Sequence, residues 1–367
     1  MMTMIRAFVK EDIPQVVNLY LRVSGGQAYA SSEELISFFN ETFFGSPWYD
    51  ESLPSLVYED KGQIIGFLGR HVRKMLMKEK PIRAAFGSHL IAHPDHRGKA
   101  PGLLLLKTFL EGPQDFSYAD GAGEKTVIMW EKMGGEIAHI YNIHWTRLLR
   151  PSRFVTMNLV KRKVFPQFIE FATRPLSWSF DAVLDVFPYS PMKVSLPVGR
   201  REDFSSETLL EWLPTFAHDK SLRPDYDKTF LQWLFKKITE THALGELYGA
   251  QLGGANGEVV GWYLHYLSAR GIAQVITMAA KSGWFDKILD ALIHDAKARG
   301  AVAVAGRIEP GLESLLTSKH CLFHYPGPWM LIHSKNQEIL HAIQSGKAFL
   351  TRLEGEWWLP YPVGGFA

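Results

Sequence analysis

One stretch in the first third of the chain constrains the fold most, because it joins a strand end, a basic turn and a helix start. It reads His89-Leu90-Ile91-Ala92-His93-Pro94-Asp95-His96-Arg97-Gly98-Lys99-Ala100-Pro101-Gly102 and continues into Leu103-Leu104-Leu105-Leu106. The start of a helix offers unpaired backbone N–H groups and the positive end of the helix dipole. Small residues at 98, 100 and 102 leave the backbone open, and Arg97 and Lys99 add positive charge. The stretch therefore predicts a site for a phosphate or a pyrophosphate.

The same turn resembles the acetyl-CoA signature of the GCN5-related N-acetyltransferases (GNAT), which has the form Arg/Gln-x-x-Gly-x-Gly/Ala. Here the signature is Arg97-Gly98-Lys99-Ala100-Pro101-Gly102, with Ala100 at the first small position. Pro101 lacks one N–H that the family commonly supplies, but its fixed φ suits the first turn of a helix. By itself such a turn is also typical of a simple helix cap, so the elements around it decide between the two interpretations.

The predicted elements follow the order of a GNAT domain from residue 5 to about 150. Alternation and helical spacing predict a strand at 5–9, helices at 13–20 and 31–44, and a hairpin at 55–68 that turns at Gly62. Strands are predicted at 70–77, 82–92, 116–119 and 137–149, and helices at 102–111 and 124–133. In the family, CoA lies where two central strands splay apart.

The resemblance implies which residues hold the cofactor, acetyl-CoA. The strand before the turn is expected to pair with the pantetheine through the backbone of Leu90, Ile91 and Ala92. The turn and the helix start are expected to bind the rest of the cofactor through Arg97, Gly98, Lys99, Ala100, Gly102 and Leu103.

Three matches in the second half predict a degenerate copy of the same domain. Gly62-Gln63-Ile64-Ile65-Gly66-Phe67 recurs as Gly257-Glu258-Val259-Val260-Gly261-Trp262. Lys10-Glu11-Asp12 after a strand recurs as Arg201-Glu202-Asp203 after a predicted strand at 193–196, and the strand 276–279 with the helix 285–299 mirrors the signature strand and helix. The turn of the copy is Ala280-Lys281-Ser282-Gly283-Trp284-Phe285, whose bulky aromatics predict that it does not bind CoA.

A chain of 367 residues is too long for one ordinary core, so two domains are expected. We predict an α+β fold with two GNAT-like domains, each a mixed, mostly antiparallel sheet flanked by helices. The predicted parts are a GNAT domain at 1–150, a connector at 151–191 and a degenerate GNAT-like domain at 192–367. The copy is expected to shape the acceptor cleft or to form a homodimer contact, and the tail at 349–358 to form a final strand and turn.

Composition excludes several classes of protein. A net charge of +2 is too small to indicate nucleic-acid binding, and Cys321, the only cysteine, cannot form an intramolecular disulfide. No run approaches the ~20 apolar residues of a membrane span, and the N-terminus lacks a signal-peptide core. His93 and His96 are separated by Pro94 and lack a carboxylate cluster, so no metal site is predicted. We expect a cytoplasmic protein that binds neither nucleic acid nor membrane.

Transfer of an acetyl group to an amine is helped by a base that deprotonates the amine and an acid that protonates the leaving thiolate. Many GNAT relatives carry a Tyr acid in a Tyr-x-x-x-Gly pattern. That stretch is Trp130-Glu131-Lys132-Met133-Gly134 here, and an indole does not ionise.

The remaining catalytic candidates are His89, Tyr118 and Asp120. His89 follows Ser88 on the strand nearest the expected thioester, and it is also typical of a hydrogen-bonded structural histidine. Tyr118 and Asp120 lie near the end of the strand on the other side of the splay, where Asp120 is equally typical of a helix N-cap.

The resemblance therefore implies an acetyl-CoA- or acyl-CoA-dependent N-acyltransferase that acts directly on a small-molecule or peptide amine. Two alternatives stay open. Trp130 favours a non-catalytic CoA- or acyl-binding module. A Fem-type aminoacyl-tRNA-dependent transferase would need a basic stripe for its RNA, which the sequence does not display.

Overall fold

The computed structural model describes residues 4–24, 31–161, 193–197, 199–241, 244–254, 256–325, 327–355 and 359. Within these ranges the chain forms two mixed sheets flanked by helices, so the predicted α+β class is confirmed. Among the described helices, none combines the length and the apolar character that crossing a membrane requires.

The strands, in chain order, are β1 (Met4–Ala7), β2 (Leu56–Asp60), β3 (Gln63–Met77), β4 (Lys80–Ala92), β5 (Phe116–Ala122), β6 (Glu136–Ile137), β7 (His144–Leu148), β8 (Arg200–Asp203), β9 (Leu222–Pro224), β10 (Glu246–Gly253), β11 (Val259–Leu267), β12 (Ile272–Ala280), β13 (Ala303–Arg307), β14 (Leu322–His324) and β15 (Trp329–His333). The helices are α1 (Ile13–Val23), α2 (Ser32–Phe44), α3 (Pro101–Leu110), α4 (Glu124–Lys132), α5 (Pro151–Lys161), α6 (Ser206–Phe216), α7 (Lys228–Glu240), α8 (Phe285–Ala298), α9 (Glu313–Ser318) and α10 (Gln337–Gln344).

The two sheets repeat one pattern of strand order and direction. The first has the order β1-β2-β3-β4-β5-β15-β6, with β9 paired to β3, and the second has the order β8-β10-β11-β12-β13-β7-β14. Along both orders every pair is antiparallel except β4 with β5 and β12 with β13, which are parallel. The parallel pair therefore occupies the same place in each sheet.

The sequence repeat at 62–67 and 257–262 occupies equivalent positions in the two sheets. Gly62 and Gly257 have φ of 86° and 76°, the left-handed region that glycine tolerates, in the turn before a strand. Four residues later, Gly66 pairs with the last residue of β4 and Gly261 with the last residue of β12. A Cβ at Gly66 would lie 2.8 Å from a side-chain atom of α3, and a Cβ at Gly261 would lie 2.7 Å from one of α8. Both glycines thus let a helix pack closely on its strand.

Each half of the chain inserts one strand between strands of the other half's sheet, and β9 of the second half also pairs with β3. β7 lies between β13 and β14 in the second sheet, and β15 lies between β5 and β6 in the first. The predicted boundary at residue 150 comes directly after β7. Each sheet therefore contains strands from both sides of this boundary. The division into 1–150, 151–191 and 192–367 stays a prediction about domains.

The largest apolar core lies between the two sheets. It contains Phe86 and Tyr118 from the first sheet and Trp262 and Ile276 from the second, all buried. Smaller cores lie under α8, under α3 with α4, and between α1 and α2. Because the largest core is shared, the two sheets are packed on each other.

One of the three predicted sequence matches is wrong. Lys10–Asp12 form a 3-10 turn after β1, whereas Arg201, Glu202 and Asp203 lie within the strand β8, which pairs with β10. Residues 193–197, predicted to contain a strand, have no regular structure. The four residues of β8 are all exposed at the sheet edge, so their sequence lacks the apolar alternation that marks a strand.

The connector and the tail also differ from expectation. The predicted connector begins as α5, and residues 162–192 lie outside the described residues. In the predicted final strand at 349–358, residues 349–351 have no regular structure, residues 352–355 form turns, and 356–358 lie outside the described part. Glu354 lies between the two sheets, where its backbone oxygen accepts a hydrogen bond from Tyr118 on β5.

Candidate active site

A cleft opens in the first sheet where β4 and β5 separate. The two strands pair in parallel only from Ala84–Phe86 to Phe116–Tyr118. Just beyond, the register between β3 and β4 shifts, so that His89 and Leu90 together face Leu68 across the pair. His89 has φ of 51°, a left-handed conformation that is uncommon outside glycine. Such a β-bulge bends its strand, and here it accompanies the departure of β4 from β5.

A cavity of about 380 Å³ fills this cleft. Its walls are the separated ends of β4 and β5, together with residues of α1, α3 and α4. The lining is mainly apolar, with Leu106, Phe109 and Trp130 on the helical side and Gly87 and Gly121 on the strands. Glycines on both strands leave the backbone open to the cavity.

Two of the predicted cofactor residues line this cavity, and a third ends the same strand. Leu90 and Ile91 line the cavity, and Ala92 ends β4 opposite Gly66. Beyond Phe86, the edge of β4 that faces β5 has no strand partner among the described residues. Its backbone groups are therefore placed where an extended ligand could pair with them.

The turn after β4 leads into a helix start without a side-chain cap. Ala100 is the N-cap of α3 and has φ of 48° and ψ of 46°, a left-handed conformation that costs a non-glycine residue roughly 1 kcal/mol. No side chain caps this helix start, and Pro101 occupies its first turn. A Cβ at Gly98 would meet nothing within 4 Å, and one at Gly102 would meet only Ala92 Cβ, at 3.8 Å. The first N–H groups of α3 are thus accessible to an anion.

The remaining residues of the turn contribute differently. Lys99 Nζ lies 2.5 Å from the buried Asp60 carboxylate on β2, which fixes the turn to the sheet. Leu103 is partly exposed on α3. The side chain of Arg97 lies outside the described residues.

His89 is the predicted catalytic candidate that lines the cavity. Its Nδ1 lies 2.9 Å from Ser88 Oγ, and that oxygen lies 2.8 Å from His71 Nε2 on the neighbouring strand β3. Burial lowers the pKa of His89 to about 3 and the pKa of His71 well below its usual value, so both rings are neutral at pH 7. The sequence analysis did not identify His71, because β3 is buried on both faces and gives its polar residues no periodic signal.

Tyr118 and Asp120 do not join His89 at the cavity. In β5 the alternate residues Ala119 and Gly121 line the cavity, so Tyr118 and Asp120 lie on the opposite face. The Tyr118 hydroxyl donates to Glu354 O at 2.7 Å, and burial raises its pKa above the usual value. Asp120 forms a buried ion pair with Arg307 of β13. The N-cap of α4 is Gly123, so the alternative N-cap role of Asp120 is wrong.

Trp130, at the position of the family tyrosine, forms part of the cavity wall. Its indole Nε1 donates to Ile332 O at 2.9 Å, which joins α4 to the exchanged strand β15. A Cβ at Gly135 would lie 2.0 Å from Trp130 Cδ1, so glycine is needed there for the indole to fit. The indole is therefore held by its surroundings and supplies no acid to the cleft.

The second sheet opens at the equivalent place. β12 and β13 pair only from Ile272–Gln274 to Ala303–Ala305. A cavity of about 680 Å³ adjoins the end of β12 and contains Lys281, Ser282 and Glu309 among its lining residues. The chain itself also enters this opening, since Arg352 N donates to Ile276 O at 3.1 Å. Counting back from the equivalent strand ends Ala92 and Ala280, Ile276 corresponds to Ser88.

Glu309 in this second cavity gives a prediction about stability and pH. Burial raises the pKa of its carboxyl to about 8, so between pH ~4.5 and ~8 the folded protein keeps a proton that the unfolded chain releases. The stability of the wild type should therefore fall as pH rises through that window. In urea unfolding, the free energy of unfolding of Glu309→Gln should rise relative to that of the wild type by about 1 kcal/mol or more between pH 5 and pH 9.

The matched control is Glu51→Gln, a change at an exposed glutamate of the first half. Its stability should run parallel to that of the wild type from pH 5 to pH 9. If Glu309→Gln also runs parallel to the wild type, Glu309 does not keep its proton in the folded state.

The comparisons with known proteins address the fold. The sequence matches no protein-family model and no curated protein. A solved structure from Enterococcus faecalis, described as a probable N-acyltransferase, superposes with a TM-score of 0.60 at 10% identity, covering 91% of this chain and 72% of that one. A GCN5-related N-acetyltransferase from Anabaena variabilis gives 0.56 at 13% identity, with 93% and 75% covered. Another from Kribbella flavida gives 0.53 at 11%, with 91% and 72% covered.

These superpositions concern the fold over nearly the whole chain. The sequence identities are too low to carry over a substrate. The chain has the fold of the GCN5-related N-acetyltransferases.

Proposed function

We propose that this protein is an N-acyltransferase that moves an acetyl group from acetyl-CoA directly to an amine. The observation that carries the proposal is the coincidence of three features in the first sheet. An apolar cleft lies between separating parallel strands. A strand edge that pairs with no other strand in the described part of the chain borders it, and a helix start without a side-chain cap follows that edge. Together they match the three parts of acyl-CoA: an acyl-pantetheine chain, its amides and its pyrophosphate.

Each part of the cofactor has a physical partner in this proposal. The pantetheine amides pair with the backbone of Leu90, Ile91 and Ala92 as an added strand would. The pyrophosphate binds N–H groups at Gly102 and Leu103, where the open backbone of Gly98 and Gly102 permits close approach. Lys99 lies in the same turn and adds positive charge there, with its ammonium paired to Asp60.

In this proposal the acetyl transfer takes place beside the bulge in β4. With the thioester in the cleft, a backbone N–H in the segment 90–92 stabilises the oxyanion that forms when the amine attacks. His89 is neutral and lines the cavity, and we assign it as the base, with its buried Nε2 becoming accessible when the amine binds. The acceptor is a small-molecule or peptide amine, and the space of about 380 Å³ favours a short acyl group.

The function is tested by following CoA thiol release from acetyl-CoA with a panel of amines that includes alkyl amines, peptide N-termini and amino sugars. We expect thiol release that depends on one class of amine, together with the acetylated product by mass spectrometry. If acetyl-CoA binds and no amine gives turnover, the chain is a CoA-binding module, the alternative that Trp130 favours. If acetyl-CoA does not bind, both assignments are wrong.

A charge change at the helix start separates cofactor binding from folding. Gly102→Asp places a carboxylate in the first turn of α3, where the helix dipole stabilises it and no neighbour clashes. The melting temperature should be unchanged or higher, while acetyl-CoA affinity falls at least about tenfold because the carboxylate repels the pyrophosphate. Isothermal titration calorimetry measures the affinity.

Gly102→Ala is the control for this variant, since its methyl group has room beside Ala92 and carries no charge. It should bind acetyl-CoA as the wild type does. Equal affinities for the Asp and Ala variants would mean that the pyrophosphate binds elsewhere.

A further inference from the structure

Three buried side chains next to the bulge form a continuous polar row. His71 Nε2 lies 2.8 Å from Ser88 Oγ, and Ser88 Oγ lies 2.9 Å from His89 Nδ1. Their exposed fractions are 5%, 4% and 6%. Ser88 and His89 line the cavity in the first sheet, whereas His71 lies behind them on β3. The row thus runs from the cavity wall into the core.

The aromatic surroundings hold both imidazoles in place. His71 stacks on Phe86, with ring centroids 4.3 Å apart and planes within 13°. The ring centroid of Phe43 lies 5.0 Å from that of His71 and 5.6 Å from that of His89. The ring centroid of Phe38 lies 5.7 Å from that of His89. Because the rings are packed against carbon, they are poorly suited to carry a positive charge.

We propose that His89 and Ser88 carry a proton from the attacking amine to the leaving CoA thiolate, and that His71 orients Ser88 for this step. The proposal rests on the proposed acetyl transfer and adds to it the source of the acid that Trp130 cannot provide. His89 and Ser88 are catalytic residues in this assignment, and His71 is a positioning residue.

The hydrogen count of the row permits this direction of transfer. A serine hydroxyl has one hydrogen and accepts two hydrogen bonds. With His89 protonated on Nδ1 and His71 on Nε2, Ser88 Oγ accepts from both rings and its own hydrogen is directed away from them. Since Ser88 lines the cavity, that hydrogen is available to a sulfur atom bound there.

The transfer balances without leaving a charge in the core. The amine nitrogen forms a bond to the acetyl carbon as the carbon–sulfur bond breaks, with the electron pair leaving on sulfur. The proton lost by nitrogen goes to His89 Nε2, an atom that is buried in the free protein and that the bound amine must reach. The Nδ1 proton of His89 then goes to Ser88 Oγ, and the Ser88 hydroxyl proton goes to sulfur. His89 ends as its other neutral tautomer, and proton exchange with water after product release restores the first one.

A neutral relay fits this site better than a histidine that stores the proton. Burial keeps the pKa of His89 at about 3, so an imidazolium there would be strongly disfavoured at pH 7. In the relay, His89 receives and gives a proton in the same event. The depressed basicity therefore does not obstruct the reaction.

The test uses the full-length protein with acetyl-CoA and the amine that the wild type turns over best. Ser88→Ala should lower kcat about 100-fold while the Kd for acetyl-CoA changes less than about twofold. His71→Phe keeps the stacking on Phe86 but removes the donor, and it should lower kcat about tenfold. His71→Gln should recover most of that loss, because its amide nitrogen replaces Nε2–H.

A readout of proton motion separates catalysis from structural damage. The dependence of kcat on the deuterium fraction of the solvent should be curved for the wild type, because more than one proton moves, and linear for Ser88→Ala. If Ser88→Ala keeps kcat within twofold, or if Gln and Phe at position 71 are equally slow, the relay is wrong although the acetyl transfer stands. If the wild type turns over no amine, the proposed function and the relay fall together.

Discussion

Replacing Gly123 by Trp should abolish acetyl-CoA binding without unfolding the protein. Gly123 lines the mouth of the cavity in the first sheet and is the N-cap of α4. Its φ of −79° and ψ of 165° are extended values that any residue adopts, and an added Cβ would meet nothing within 4 Å. The indole then occupies the space that the cofactor needs. We expect affinity for acetyl-CoA to fall by at least about 100-fold, or about 2.7 kcal/mol, in calorimetric titration.

The matched control is Gly123→Ser. A serine at an N-cap accepts a hydrogen bond from the first turn, so it should raise stability by a few tenths of a kcal/mol. Its small side chain leaves the cleft open, and acetyl-CoA should bind as in the wild type. Wild-type affinity in a folded Gly123→Trp protein would show that the cofactor does not enter this cleft.

The second large effect is expected at the ion pair between Asp120 and Arg307, which joins β5 of the first sheet to β13 of the second. Asp120 is 4% exposed and Arg307 8%, and Arg307 also donates to Leu350 O at 3.1 Å. Asp120→Ala leaves a buried guanidinium without its carboxylate. Breaking a buried pair on one side typically costs about 3 to 5 kcal/mol, and we expect a loss of that size in urea unfolding.

A double substitution distinguishes an ion pair from a packing defect. Asp120→Leu combined with Arg307→Met replaces both charges by apolar groups and should recover a large part of the lost stability. If Asp120→Ala stays within about 0.5 kcal/mol of the wild type yet loses acetyl transfer, Asp120 is a catalytic residue and not a structural one.

Local chemistry made much of the first sheet predictable. The hairpin expected at 55–68 is present as β2 and the start of β3, with Gly62 at φ of 86° in its turn. The helix expected at 102–111 is α3, Pro101–Leu110, and the one expected at 124–133 is α4, Glu124–Lys132. Turn residues, apolar spacing and helix starts are properties of neighbouring residues, so a sequence displays them directly.

The exchange of β7 and β15 could not be predicted in the same way. His144–Leu148 pairs with strands about 160 and about 180 residues farther along the chain. Trp329–His333 pairs with β5, about 210 residues earlier. A strand displays its own propensity in its sequence, but its partner is selected by the assembled sheets. The predicted boundary at 150 therefore lies beside a strand that belongs to the second sheet.

The candidate site was predictable in its cofactor part and not in its catalytic part. Leu90 and Gly102 were identified by their place in a strand–turn–helix, which the structure contains. His71 lies beside Ser88 only because β3 and β4 are in register, and that register depends on a bulge. The one available signal was the presence of Arg70, His71 and Arg73 in a mainly apolar strand, since buried charged residues need partners.

The central claim is that acyl-CoA binds in the cleft between β4 and β5 and not in the larger cavity of the second sheet. The most direct test is a crystal structure of the protein grown with saturating CoA. We expect the pantetheine along Leu90–Ala92 and the pyrophosphate at the start of α3, beside Gly102. Density for CoA in the cavity that contains Ser282 and Glu309, with the first cleft empty, would contradict the claim.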